Sequence, residues 1–400
     1  MAQHSYMFRV RSLLTAVLGL WYCAHAVVPD IDPVSYLKPQ VNAPTYTVAE
    51  LWANHKHLPN WEEVRRAAGD TWDELPQAYN ASFKNPCWYN KSGQVKCLPY
   101  FQILGVSKCG TTDLYHRLSK HPQMFESLNK GPHWWDECSW PLRGACTAPP
   151  KGDFDGYVSL YARAAAAFAG GEPQGITGEA SSNTYTAANK VYLRGPAWDR
   201  ADLQVSMPDL MWESSPWLRN IIIFRDPVDR YYSAFYYYRW WKKDEPTPGP
   251  QEFHDTVVSE IKEWTDCVAA HGQPHCVRHY HPQQLVKGMY AEFLSDWLRV
   301  WPKEQLLILR NEDYKVAQRE HMEVVFNFLG LRALSEPEWA KVMTMPARNK
   351  NSDKYAPMWA ETRKILDDFY APFNARLAKM MADDRYLWPK KPATPAATAA

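Results

Sequence analysis

Two short segments carry residues whose types and order suit the holding of phosphate. The first is Ser107-Lys108-Cys109-Gly110-Thr111-Thr112. It follows the apolar run Phe101-Gln102-Ile103-Leu104-Gly105, which reads as a buried strand. It precedes Asp113-Leu114-Tyr115-His116-Arg117-Leu118, where Leu114 and Leu118 share a helix face. A strand, a glycine loop and a helix N-terminus aim free N–H groups and the helix dipole at one point, which makes an anion cradle. Lys108 adds a point charge, and Thr111 and Thr112 add hydroxyl donors. The expected ligand group is a phosphate or a phosphate-like anhydride. A nucleoside-triphosphatase loop would read G-x-x-x-x-G-K-[ST]. Here the lysine comes before the second glycine. A corner built for packing alone needs the glycines, but not the lysine and the paired threonines.

The second segment begins with another buried-strand run, Asn220-Ile221-Ile222-Ile223-Phe224. Arg225-Asp226-Pro227-Val228-Asp229-Arg230-Tyr231-Tyr232-Ser233 follows. Pro227 suits a first helical turn. Arg225 leaves the strand end, and Ser233 falls about two turns along the helix, so both are candidates for one phosphate. The competing reading gives Arg225 a salt bridge to Asp226 or Asp229 and leaves Ser233 on a solvated face. Two phosphate corners on separate strands fit a nucleotide phosphorylated at both its 5′ and 3′ positions. A simple nucleotidase would need only the first.

The elements that must position these segments form an alternating series of strands and helices, which argues an α/β domain with a central parallel sheet flanked by helices. Ile176-Thr177-Gly178-Glu179 and Leu306-Leu307-Ile308-Leu309 read as further strands. The stretch 162–169 is helix-prone and closed by Gly170-Gly171. Met289, Tyr290, Phe293, Leu294, Trp297, Leu298 and Trp301 make a helical stripe that reads as core. Residues 359–381 repeat apolar residues at helical spacing, with Pro372 expected to kink or break the helix. Ligand is expected at the carboxyl ends of the strands. The chain has 400 residues, 46% of them hydrophobic, enough for one large domain plus a flank. The domain reads as 99–390. Residues 27–98 read as a stem and wrapping segment with helical periodicity near 48–68, and 391–400 as a disordered Ala/Pro/Thr tail. A net charge of +1 suggests no nucleic-acid partner, so an acidic substrate must be met by local basic patches.

The N-terminal residues 1–26 read as a targeting segment. Arg9 and Arg11 precede an apolar run, and Ala24-His25-Ala26 is an A-x-A cleavage pattern. A cleaved signal peptide and a short membrane anchor both fit, and either directs the remainder into the secretory lumen. Eight cysteines suit that compartment. Cys23 lies in the leader, and Cys109 reads as a free, packed thiol. The rest fall into local pairs, Cys87 with Cys97, Cys138 with Cys146 and Cys267 with Cys276, one of fifteen connectivities. Asn80 and Asn90 head N-x-S glycosylation acceptors. His271, His275, Cys276, His279 and His281 look like metal ligands, but Gly272, Pro274 and Pro282 interrupt the helix that would align them, so no metal is expected.

The first loop resembles the 5′-phosphosulfate loop of sulfotransferases that use 3′-phosphoadenylyl sulfate (PAPS). The R-D-P-x-x-R-x-Y-S segment resembles their 3′-phosphate site, held through Arg225 and Ser233. Cys97-Leu98-Pro99-Tyr100-Phe101, Pro132-His133-Trp134-Trp135, Thr177-Gly178-Glu179-Ala180-Ser181, Gly288-Met289-Tyr290-Ala291, Ile308-Leu309-Arg310 and Asp368-Phe369-Tyr370-Ala371-Pro372-Phe373-Asn374-Ala375-Arg376-Leu377 follow the same family order. Over roughly residues 85–388 the chain resembles the Golgi carbohydrate sulfotransferases, especially those adding a 6-sulfate to 4-sulfated N-acetylgalactosamine in chondroitin. More distantly it is similar to the heparan sulfate O- and N-sulfotransferases. The resemblance implies a P-loop-like sulfotransferase fold, PAPS as donor and in-line sulfuryl transfer to a carbohydrate hydroxyl. It also implies that Lys108 neutralises charge on the bridging oxygen and that Ser107, Cys109, Gly110, Thr111 and Thr112 line the 5′ site.

The resemblance breaks at the base. Relatives read K-E-x-H, with the glutamate as expected base; this chain reads Lys130-Gly131-Pro132-His133. His133 becomes the candidate base, assisted by Asp136, with Glu179 and Glu137 as weaker candidates. Arg348 and Lys350 occupy the region of the basic loop that closes over PAPS in relatives. The rival readings are a sulfotransferase with a non-glycan acceptor, a weak or inactive PAPS- or glycan-binding protein of the secretory lumen, and a nucleotide-triphosphate kinase.

Overall fold

The computed structural model describes residues 46–68, 74–136, 154–187, 205–239, 247–279, 283–346 and 355–388. The leader, the tail, Glu137, the Cys138–Cys146 pair, His281, Arg348 and Lys350 lie outside the described residues.

Among the described residues, seven strands fall into two sheets. Strands β1 (Cys87–Tyr89) and β2 (Val95–Cys97) form an antiparallel hairpin in which Cys87 stands opposite Cys97, and a disulfide joins the two. Strands β3 (Phe101–Gly105), β4 (Met124–Glu126), β5 (Ile176–Glu179), β6 (Arg219–Phe224) and β7 (Leu306–Arg310) form a parallel sheet ordered β4-β5-β3-β6-β7. Every residue of β3, β5 and β6 is buried. That burial fits a parallel sheet covered on both faces, and it takes in the polar Gln102, Thr177, Glu179, Arg219 and Asn220 along with the apolar residues.

The strand order explains why the two phosphate segments meet. β3 and β6 are neighbours, with Phe101 beside Arg219 and Ile103 beside Ile221. The chain leaving β3 crosses toward β4 on one side, and the chain leaving β6 crosses toward β7 on the other. The crevice between two such diverging connections is where open α/β sheets bind ligand. Helix α1 (Thr111–Leu118) follows β3, and helix α2 (Pro227–Tyr237) follows β6.

The cover is helical. Helix α3 (Pro250–His271) is tied to the short helix Gln273–His279 by the Cys267–Cys276 disulfide, so Cys276 is spent on that bond. Helix α4 (Tyr290–Val300) buries Tyr290, Phe293, Leu294, Trp297 and Leu298, as its stripe predicts. Helix α5 (Ala360–Met381) corrects one expectation. It runs unbroken across Pro372, because Leu366, Tyr370, Asn374, Leu377 and Met381 are buried against the domain and packing outweighs the local penalty. Asn80 and Asn90 both sit in turns, each Oδ1 accepting the amide of the serine two residues on, and Ser82 and Ser92 are exposed. Among the described residues no helix is long and apolar enough to cross a membrane.

Candidate active site

The loop between β3 and α1 is shaped by two residues in the left-handed region, Lys108 (φ 69°) and Gly110 (φ 102°). Gly110 is the N-cap residue of α1 and offers no side-chain cap, so the first-turn amides stay open toward the loop. A methyl group at Gly110 would lie 2.5 Å from Asn311 Nδ2. That amide, just past β7, donates to the Cys109 carbonyl at 2.7 Å and fixes the loop from the neighbouring strand. The Ser107 hydroxyl is buried with no hydrogen-bond partner among the described residues. A buried donor without a partner is costly, and an anion in the loop would satisfy it. Thr111 is buried and Thr112 half-buried at the helix start. Cys109 is a packed thiol as expected. It is buried 3.6 Å from the Tyr290 hydroxyl, and burial pushes its pKa up to about 11.

Lys108 is partly buried, and its Nζ lies 3.4 Å from the centroid of the Tyr237 ring. Burial, then the charge of Arg225, hold its pKa down to about 8. The two phosphate segments touch. Arg225 Nη1 donates to the Lys108 carbonyl at 3.1 Å, and the Tyr290 hydroxyl donates to the Arg225 carbonyl at 2.7 Å. The salt-bridge alternative for Arg225 is not what the structure shows. Asp226 Oδ1 caps α2 by accepting from the Val228 amide at 2.9 Å, and its Oδ2 accepts from Arg363 Nη2 at 2.6 Å. Asp229 accepts from Arg363 Nη1 at 2.7 Å. Arg363, from α5, thus engages the acids flanking Arg225. Asp113, an acid in the first turn of α1, is likewise held by Arg117 and Tyr314, each at 2.8 Å. Ser233 is half-buried on α2. Arg230 is fully buried and donates to the Gln284 carbonyl, so it braces α2.

A second cluster lies near the ends of β4 and β5. His133 has φ 54°, an unusual backbone state outside glycine. Its amide donates to Ser181 Oγ at 2.9 Å, and its Nδ1 lies 3.0 and 3.1 Å from the two carboxylate oxygens of Asp136. Asp136 is buried, while the His133 side chain keeps 28% exposure. The contact between Nδ1 and the carboxylate orients the imidazole ring. The departure at Gly131 bears on this geometry, since a methyl group there would lie 3.5 Å from His133 Nε2. The imidazole thus stands beside the place where a larger residue 131 would begin. Glu179 is fully buried. Burial first, then the Asp136 charge, raise its pKa to about 8.

Several residues of this region were not singled out from the sequence. Lys130 Nζ donates to the Ala180 carbonyl at 3.3 Å, and burial lowers its pKa to about 8. Lys287 is buried and donates to Asn183 Oδ1 at 3.0 Å. Asn311 has a readable signal, because it follows β7 directly at a strand carboxyl end. Arg363 and Tyr237 have none beyond their residue types.

The sulfotransferase domain model matches residues 99–364. The chain is similar to human carbohydrate sulfotransferase 15, at 30% identity over 90% of this chain and 75% of that one. It is similar at 25% identity to the bovine bifunctional heparan sulfate N-deacetylase/N-sulfotransferase 2, over 78% of this chain and 33% of that one. Among solved structures, a sulfotransferase from Alicyclobacillus acidocaldarius is 23% identical with a TM-score of 0.49, covering 73% of this chain and 99% of that one. The kinase reading falls with the domain match and the similarity to carbohydrate sulfotransferase 15, and the chain belongs to the sulfotransferase domain family.

Proposed function

We propose that this sulfotransferase moves a sulfuryl group from PAPS to a hydroxyl of a carbohydrate acceptor, a sulfated galactosaminoglycan of the chondroitin type. The observation that carries the reading is the hydrogen bond from Arg225 to the Lys108 carbonyl, which makes the two phosphate corners one pocket. The unpartnered Ser107 hydroxyl and the open α1 N-terminus fit a 5′-phosphosulfate. Arg225 and Ser233 fit the 3′-phosphate. The acceptor class rests on the similarity to carbohydrate sulfotransferase 15.

When bound, PAPS supplies an activated sulfuryl group, and adenosine 3′,5′-bisphosphate (PAP) is the leaving group. Lys108 places positive charge where the bridging oxygen gains negative charge. Thr111, Thr112 and the loop amides orient the 5′-phosphate, so that catalysis is chiefly positioning. His133 Nε2 takes the acceptor hydroxyl proton as the new S–O bond forms, and Asp136 stabilises the resulting imidazolium. Gly131 therefore moves the base rather than removing it. Arg348 and Lys350 are assigned to cover the phosphates. The disulfides of β1–β2 and α3, and sequons in exposed turns, support a secretory-lumen, Golgi setting, with Asn80 and Asn90 glycosylated.

Labelled sulfate transfer from PAPS to a panel of desulfated and 4-sulfated glycans tests the reading. Label is expected on the galactosaminoglycan acceptors. Label on a small phenol or a tyrosine peptide, with none on any glycan, overturns the acceptor class.

A further inference from the structure

Away from the transfer site, the segment 46–68 meets the domain at a group of side chains that nothing in the sulfuryl chemistry uses. His55 and His57 come from the loop before the helix Trp61–Ala68, and Glu213 comes from the helix Met207–Ser214. Glu213 Oε2 lies 3.1 Å from His55 Nε2 and 2.7 Å from His57 Nδ1, and the three atoms all lie within 4.8 Å of one another. A tetrahedral zinc ion with bonds of about 2.0–2.2 Å holds its ligand atoms about 3.3–3.5 Å apart. The spacing here therefore needs adjustment by about an ångström.

The surroundings pre-set the three groups. The Leu58 amide donates to Glu213 Oε1 at 2.6 Å, which turns Oε2 toward the imidazoles. The His57 ring stacks on Trp61 at 4.2 Å and 12°, and the His55 ring lies near-parallel to Trp52 at 6.1 Å and tilted against Trp212 at 5.6 Å. Stacking orients both rings without using their nitrogens. The Glu213 side chain is fully buried and the His55 side chain nearly so, whereas that of His57 is 53% exposed. The group is thus closed toward the protein and open on one side to water, a fourth ligand. Two imidazoles and a carboxylate are a donor set that zinc accepts.

We propose that His55, His57 and Glu213 bind one zinc ion that clasps the 46–68 segment to the sulfotransferase domain. The ion is structural, since the transfer residues lie elsewhere. The competing arrangement is a metal-free clasp in which both imidazoles simply donate to the carboxylate.

The test uses the full chain, stripped with a chelator and titrated with zinc chloride against a chromogenic zinc indicator. One zinc per chain is expected, bound at least about a hundredfold more weakly by His57→Ala. Zinc is also expected to raise the melting temperature of the unaltered chain, through preferential binding to the folded state, and not that of His57→Ala. Because His57 is half-exposed, equal melting temperatures of the two zinc-free chains will show that the variant is folded. His275→Ala serves as a control, since His271 and His275 lie 4.7 Å apart on the other helix pair. Equal zinc binding by the unaltered chain and His57→Ala, no uptake at all, or a loss confined to His275→Ala each overturns the proposal.

Discussion

On the proposed reading, the donor side around Lys108 and the acceptor side around His133 are built from different material. At the donor side, a left-handed glycine, open helix amides and a carbonyl that ties Lys108 to Arg225 make the pocket largely from main chain. At the acceptor side, His133, Asp136, Ser181 and Thr184 make it from side chains drawn from two separate segments. A main-chain cradle depends on a contiguous run of residue types and tolerates few changes. A side-chain cluster can be rearranged one residue at a time, and the proposed use of His133 as base beside Gly131 would be such a rearrangement.

The contrast predicts separable failures. Lys108→Ala and Arg225→Ala should each reduce sulfuryl transfer by at least about a hundredfold, and PAP binding measured by calorimetry should weaken in both. Full activity in either would detach that residue from the pocket. His133→Ala should also lower kcat about a hundredfold, but with PAP affinity unchanged. A loss of PAP binding in that variant would erase the distinction between the two sides. Asp136→Asn should cost kcat about tenfold or more, and should move the acidic limb of the pH–rate profile, which a purely structural role would not do.

Smaller effects sharpen the comparison. Gly110→Ala forces a methyl group toward Asn311 and a strained φ, so a loss of about 1–3 kcal/mol is expected in thermal unfolding, along with weaker PAP binding. An unchanged melting temperature would show that the loop is more pliant than its contacts suggest. The pH dependence should be smallest. Burial and Arg225 hold the Lys108 pKa at about 8, so its charge is present below that pH and lost as pH rises through it. PAP affinity should therefore fall several-fold across this range, and Lys108→Arg, which keeps its charge, should flatten the fall. A flat profile in the unaltered chain would show that Lys108 does not meet the phosphates.

The same contrast explains what could be read from the sequence. β3 and β6 are legible because burial leaves largely apolar runs, and the edge strand β7 because Leu306-Leu307-Ile308-Leu309 is apolar throughout. The short β1, β2 and β4 are three residues each, too brief to show a period. The donor loop is legible because its parts are adjacent in the chain. Asn311 reaches Cys109 across 202 positions, and Lys287 reaches Asn183 across 104, so no local pattern announces either contact. The continuity of α5 through Pro372, where a kink or break is expected, is not legible for a related reason, because its stabilisation comes from the partners it packs on.

Arg363 gives the donor pocket a late dependency. It neutralises Asp226 and Asp229 from 137 and 134 positions downstream. A chain still lacking α5 would leave Asp226 and Asp229 beside Arg225 without the Arg363 guanidinium, and their negative charge would disfavour a phosphate there. If Arg225 and Ser233 hold the 3′-phosphate as proposed, that corner is written early in the sequence, yet its acids are neutralised by Arg363 only once the C-terminal helix has docked.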